Sequence, residues 1–454
     1  MMLFVDREWS IVNHSRLTFF NLMKKRQMKK TLQYSLHAIP TWVLLLTMLL
    51  IQLPAFTQDQ APPDSKLRSK DTTGKKLDFN ETDFGFTTAR IGMAFMNDWA
   101  AYSQDAKGKQ QLDSMGGNLE SQSKVRDVRV FFSGRIKSKR YLEWRAALMW
   151  DGKEEEFTFR ETGLIIGVPE LSGKIFIGRS KEGFSSSKVQ NGYSCPAIER
   201  QPALDPIPIM TDGIRYFGST KKSNLFWSAG YATNAFYWRH SHFMPYKWTL
   251  AGRFGWLPMY KPQQNSWIHI GMNFRYSKPV DDSITIQSKP ESNPAPYFIS
   301  TTILDCNQAT GFGPELYYYK GPLMIGSETF IYNYKSVEAG NPTFWGANLL
   351  ITYNLTGEPY PYMKDNAVSF FVDPKRSLFK GGPGCWQLLL TGTTYKTNNG
   401  LMPGGNWWKV TGMVNWYPSN DFAIKFMYGY GVLDRFGIKG ATQFFQARFQ
   451  INLM

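Results

Sequence analysis

From about residue 84 to the carboxy terminus, apolar and polar side chains alternate with period two over long stretches, and nothing else in the chain restricts its fold as strongly. Val128, Val130, Phe132 and Ile136 fall on one face of a strand, with Asp127, Arg129, Ser133 and Arg135 on the other. After Lys137–Arg140, a short polar turn, Leu142, Trp144, Ala146, Leu148 and Trp150 oppose Glu143, Arg145, Ala147 and Met149. Near the end Val410, Gly412, Val414 and Trp416 alternate with Lys409, Thr411, Met413 and Asn415. Beyond the turn Pro418–Asp421, Phe422, Ile424, Phe426, Tyr428 and Tyr430 do the same against Ala423, Lys425, Met427 and Gly429. The last strand sets Phe445, Ala447, Phe449, Ile451 and Leu453 against Phe444, Gln446, Arg448, Gln450 and Asn452.

Strands of about ten residues with one apolar face, tight turns at one end and long connections at the other predict an all-β fold, a transmembrane antiparallel β-barrel. A soluble sandwich uses shorter strands. About 370 residues at about 23 per strand and connection give about sixteen strands, a size that encloses an aqueous channel. The 33 Phe, 23 Tyr, 15 Trp and 39 Gly suit strands and turns, and disfavour a coiled coil, a disordered chain and a helical membrane protein. Tyr141, Trp150, Trp416 and Tyr417, near strand ends, fit interfacial girdles.

A barrel of this kind must be exported. Trp42–Ile51 is apolar but, at ten residues, too short to span as a helix, and it follows Lys24, Lys25, Arg26, Lys29 and Lys30. With Pro54–Thr57 after it, residues 1–57 read as a Sec-type signal peptide cut after Thr57, with Met23 or Met28 as alternative starts and an uncleaved anchor as the competing reading. Residues 58–83 read as a periplasmic linker and residues 84–454 as the outer-membrane barrel. The full chain carries a formal +16. Residues 1–57 hold seven basic and two acidic residues, so the exported part keeps +11 and favours anionic partners.

Alternate strand residues line the lumen, and several are Arg. Cationic side chains along a narrow passage select anions, and guanidinium groups pair with phosphate or carboxylate oxygens. The competing role for these residues is structural pairing with carboxylates such as Asp127 and Glu143. One connection, Gly183 to Asp212, has four prolines and no alternation. It reads as a constriction loop folded into the lumen, carrying Lys188 and Arg200. His240 and His242 share a strand face but lack a third metal ligand, and Asp151 with Glu154–Glu156 reads as a solvated outer loop. Cys195, Cys306 and Cys385 form no CxxC pair. Catalytic and nucleotide-binding motifs are absent, so the expectation is no enzyme, no cofactor, no metal and no nucleic acid.

Laid out this way, residues 84–454 resemble the phosphate-selective porin O and P family, in the form common among Bacteroidetes-type bacteria. The resemblance rests on the order of Val125–Gly134, Ile177–Ser185, Ile198–Arg200, Asp212–Gly218, Leu355–Glu358, Gly381–Leu388 and Asn415–Tyr417. It implies a sixteen-stranded outer-membrane barrel, usually a homotrimer in the outer-membrane lipid, whose third extracellular loop folds inward and whose basic lumen takes up small anions, phosphate among them. Arg129, Arg179, Lys181, Lys188, Arg200 and Arg215 are the basic residues in the matching motifs, with Lys188 and Arg200 placed to touch the permeating anion. Two alternatives stand beside this one. The first is a general, weakly selective nutrient porin. The second is a surface carbohydrate-binding or adhesion protein using Phe236–Trp238 and Trp407–Trp408.

Overall fold

The computed structural model describes residues 80–115, 117–153, 155–234 and 245–453. The signal peptide, nearly all of the linker, Glu154, the histidine pair and Phe236–Trp238 lie outside the described residues. The last three linker residues, Glu81–Asp83, pair with the first barrel strand.

Sixteen antiparallel strands close on themselves. In chain order they are β1 Thr88–Gln104, β2 Gln122–Ile136, β3 Leu142–Asp151, β4 Thr162–Val168, β5 Gly173–Ser180, β6 Thr211–Ser219, β7 Leu225–Thr233 and β8 Tyr246–Lys261. They continue as β9 Ser266–Pro279, β10 Gln308–Lys320, β11 Leu323–Lys335, β12 Thr343–Asn354, β13 Cys385–Asn399, β14 Met402–Ser419, β15 Phe422–Arg435 and β16 Ile438–Leu453. The short strand Glu156–Phe159 precedes β4 on the same edge of β3. Closure comes from β16 on β1, from Met93 opposite Leu453 to Gln104 opposite Thr442. A closed ladder leaves no unpaired strand edge, which hydrocarbon would penalise by several kcal/mol per polar group.

The alternation read in the sequence becomes the wall. Val128, Leu148, Val410, Phe426, Tyr428, Phe445 and Phe449 stand exposed on the outer surface, while Arg129, Met149, Lys409, Lys425, Met427, Phe444 and Arg448 are buried inside. Trp416 stacks on Trp386 with ring centroids 5.5 Å apart, as a girdle residue would. Tyr417 instead points inward, its hydroxyl donating to Gln387 Oε1 at 3.2 Å. The buried hydrophobic cluster lies inside the barrel: inward aromatics such as Tyr317, Tyr319, Phe330, Tyr332, Phe344 and Trp407 pack against Phe184, Ile198, Leu204 and Ile207 of the connection between β5 and β6. Each such aliphatic or Phe side chain contributes about 1.5–3 kcal/mol on burial. Trp407–Trp408, read as a possible carbohydrate-holding loop, is instead part of β14, with Trp407 buried inward.

At the end that holds the chain's two barrel termini, the periplasmic end by the rule for such barrels, every connection is a short turn except residues 355–384. The opposite end carries the short turns 400–401 and 436–437 and the other long connections. The first contains helix α1, Ala106–Ser114, capped by Asp105, and the third contains the single-turn α2, Ser186–Val189.

Candidate functional site

Among the described residues, three segments enter the lumen. Residues 181–210, the third connection at the loop end, are buried or half-buried throughout, as the sequence reading of a constriction loop expects. The wall holds this loop around much of its circumference. On β9–β11, Asn273 Oδ1 accepts from Ser185 N at 2.7 Å, Glu315 Oε2 from Ser186 N at 2.9 Å, and Glu328 Oε1 from Ser187 N at 2.9 Å. Ser185 Oγ and Tyr317 Oη also donate to Glu328, at 2.6 and 2.7 Å. On the far wall, Asn415 donates to Pro196 O at 2.8 Å, Lys425 to Cys195 O at 2.6 Å and Gln450 to Tyr193 O at 2.9 Å. Arg448 grips Asp98 with two bonds of 2.6 and 2.7 Å and also reaches Glu199 of the loop at 2.5 Å.

A second segment, residues 280–307, also descends from the loop end. It folds as the hairpin Ile284–Ser288 with Ile299–Ile303, and Glu291 in the loop joining the two strands accepts from Thr393 Oγ1 at 3.0 Å. The third, residues 355–384, enters from the turn end. Tyr362 Oη lies 2.6 Å from His269 Nδ1, and Arg253 donates to Asn366 O and Ala367 O at 2.8 and 2.7 Å. Gln190 Nε2 donates to Ser369 Oγ at 2.8 Å, so this insert meets the β5–β6 loop inside the barrel. It was missed in the sequence reading, although it shows the same signal as that loop: about thirty residues with four prolines and no alternation.

The predicted basic residues fall into two groups and one exception. Arg129 and Arg215 project inward from β2 and β6. Arg129 pairs with Asp127 and lies 5.0 Å over the Tyr193 ring, while Arg215 donates to Lys181 O at 3.0 Å and lies 4.6 Å over Phe217. Lys181 donates to Gln190 O at 2.7 Å, and burial pushes its ammonium well below the usual lysine range. Lys188 and Arg200 stand together in the loop. Lys188 Nζ donates to Leu204 O at 3.2 Å, and Arg200 donates to Ser187 O at 2.6 Å and Gln190 O at 2.8 Å. Both line a cavity of about 130 Å³ shared with Arg126, Lys153, Glu199 and Glu291. Asp151, read as solvated, is buried at its rim and accepts from Arg126 at 2.9 Å.

Arg179 is the exception. It shares its strand face with Ile177, and its cross-strand partner Asp212 shares one with Ile214, both exposed on the membrane side. Two bonds of 2.8 and 2.7 Å tie Arg179 to Asp212 there, so it does not line the lumen.

The sequence reading also passed over Arg160. Between Phe159 and Thr162 the strand is interrupted, and both Arg160 and Glu161 turn inward, paired at 3.5 Å. Arg160 and Glu161 lie near enough to Lys181 to act on its charge, as do Arg129 and Arg200. Two guanidinium Nε–H groups in this wall, those of Arg129 and Arg215, are buried without an acceptor among the described residues, and Arg160 Nε faces only the Glu161 carboxylate at 3.5 Å. Buried donors of this kind cost free energy unless something fills them. The arrangement can therefore accept an oxyanion.

A closed sixteen-stranded barrel with inserted loops and basic side chains in its lumen points to an outer-membrane porin, a channel. The family model for phosphate-selective porin O and P matches residues 110–452, and the chain belongs to that family. Among solved structures it is similar to the anion-selective porin from Comamonas acidovorans, with a TM-score of 0.50 and 11% identity over 80% of this chain and 100% of that one. It is likewise similar to a loop-deletion mutant of OmpT from Vibrio cholerae, at 0.51 and 11% over 80% and 99%. Salmonella typhi OmpF aligns at 0.51 and 10% over 81% and 100%. At these identities the likeness concerns the fold alone. No match is found among curated proteins.

Proposed function

We propose that this porin passes small anions, phosphate among them, by passive diffusion, with Arg129, Arg160 and Arg215 on the wall and Lys181, Lys188 and Arg200 in the loop as the groups they exchange between. The observation that carries the reading is the pair of buried Nε–H donors without acceptors on the lumen wall, those of Arg129 and Arg215, with Arg160 Nε facing only a carboxylate at 3.5 Å. Family membership supports it, and with it a homotrimer in the outer membrane, reached through the signal peptide of residues 1–57.

Planar-bilayer recording under a KCl gradient tests this, with phosphate added as a blocker of chloride current. Anion-selective current blocked by low phosphate is expected. Arg160→Gln and Arg215→Gln should each weaken the block by about 10- to 100-fold, since each charge-assisted hydrogen bond is worth about 1.5–3 kcal/mol. Lys188→Ala and Arg200→Ala should each weaken it less, because those side chains already donate within the loop. Arg179→Gln, on the outer face, should change neither reversal potential nor block. A large, unselective conductance would sink the anion reading and leave a general porin with structural arginines.

A further inference from the structure

On the membrane side of β6–β11 the wall carries an apolar groove of about 880 Å³. Its floor is Ala229 and Gly252, opposite each other on β7 and β8, and its sides include Leu250 and Phe274, each half exposed. A Cβ at Gly252 would meet only Ser228 O, at 3.7 Å, so packing among the described residues does not require the missing side chain there.

The loop-side end of this groove is cationic. Gln308 pairs with Lys335, and Ser277 opposite Ala309 sets Lys278 beside Gln308, so two lysines flank one glutamine in a single cross-strand row. Lys278 follows Tyr276 and Lys335 follows Asn333 by two residues, on the faces by which those residues line the groove. The lysines stand about 10 Å apart, two strand spacings, within reach of one anion between them. Phe274 lies four residues below Lys278, about 13 Å along the strand, close to the depth of one hydrocarbon leaflet. Trp248 stacks on Tyr276 at 5.3 Å beside Lys278, which marks this row as the membrane interface.

We propose that the groove binds a phosphorylated lipid of the outer leaflet, its phosphate held between Lys278 and Lys335 and one acyl chain lying over Ala229 and Gly252. An apolar trough with two lysines at its interfacial end complements an anionic lipid in both charge and direction. The proposal rests on the membrane placement of the barrel and is independent of what the pore conducts.

The test is native mass spectrometry of the full chain, folded in detergent and mixed with a bis-phosphorylated, multiply acylated glucosamine lipid or its dephosphorylated form. The phosphorylated lipid should be retained on the wild-type chain. Lys278→Gln with Lys335→Gln should reduce retention at least tenfold, Gly252→Leu should reduce it by filling the groove, and Lys396→Gln, on the outer face of β13, should not. Heat-modifiable migration on gels checks that each variant is folded, and unchanged bilayer conductance separates this site from the pore. Equal retention of both lipids, or equal retention by the double variant, would overturn the proposal.

Discussion

Glu315→Ala is expected to open the pore and weaken the barrel together. The Glu315 carboxylate faces Arg253 Nε at 2.7 Å, His269 Nε2 at 2.7 Å and Asn273 Nδ2 at 3.1 Å, besides the Ser186 amide of the constriction loop. Removing it leaves the Arg253 guanidinium buried without its carboxylate, a loss of about 3–5 kcal/mol for breaking such a pair from one side. The loop loses one of the carboxylates seated on the first turn of α2, and the insert 355–384, held by the same Arg253, loses its anchor too. Single-channel conductance should rise several-fold with added noise, and the urea midpoint of the folded form should fall. Glu315→Gln keeps the volume and should give a smaller change of the same sign. Gly271→Ala reaches the same carboxylate by another route, because a Cβ there would sit 2.4 Å from Glu315 Oε1. Wild-type conductance in a folded Glu315→Ala barrel would show that the loop is held by its other contacts alone.

The anchoring was not legible in the sequence, although the strands were. Alternation requires nothing but period two, and it placed Arg129, Lys409, Lys425 and Arg448 on the inner face wherever the strand is regular. It fails at irregularities. Between Met96 and Asn97 the β1–β2 register shifts, and Arg126 and Asp127 both turn inward, which no counting by twos reveals. Arg160 and Glu161 are hidden by the same kind of break. Arg179 shows the converse. Its parity with Ile177 marks it as membrane-facing, and it entered the candidate set through a family motif rather than through its face. The partners of Lys188 and Arg200 could not be read at all, since they are carbonyl groups of the loop's own backbone, brought near by a fold that composition and spacing do not encode.

Those partners lead to the other large effect, a pH dependence. Burial pushes the Lys188 ammonium down to about 7, with Asp205 opposing the shift and Arg200 and Lys153 adding to it. Burial also pushes the Glu291 carboxyl up to about 7, against Lys409 and with Asp205 and Glu199. Both groups line the same cavity of about 130 Å³. Below pH 7 Lys188 is charged and Glu291 neutral. Above it Lys188 is neutral and Glu291 charged, so the cavity becomes more negative by two unit charges as pH rises through 7. One unit charge at about 8 Å in an effective dielectric of about 20 is worth about 2 kcal/mol, reduced about threefold by screening near physiological salt. Because the two charges act with opposite sign on anion and cation, anion over cation permeability should therefore fall up to about 100-fold between about pH 6 and about pH 8. Reversal potentials recorded at successive pH values read this directly. Lys188→Met and Glu291→Gln should each remove about half of the slope and the double variant nearly all of it, whereas a wild-type profile flat across pH 7, or a double variant as steep as wild type, would place the conducting path away from this cavity.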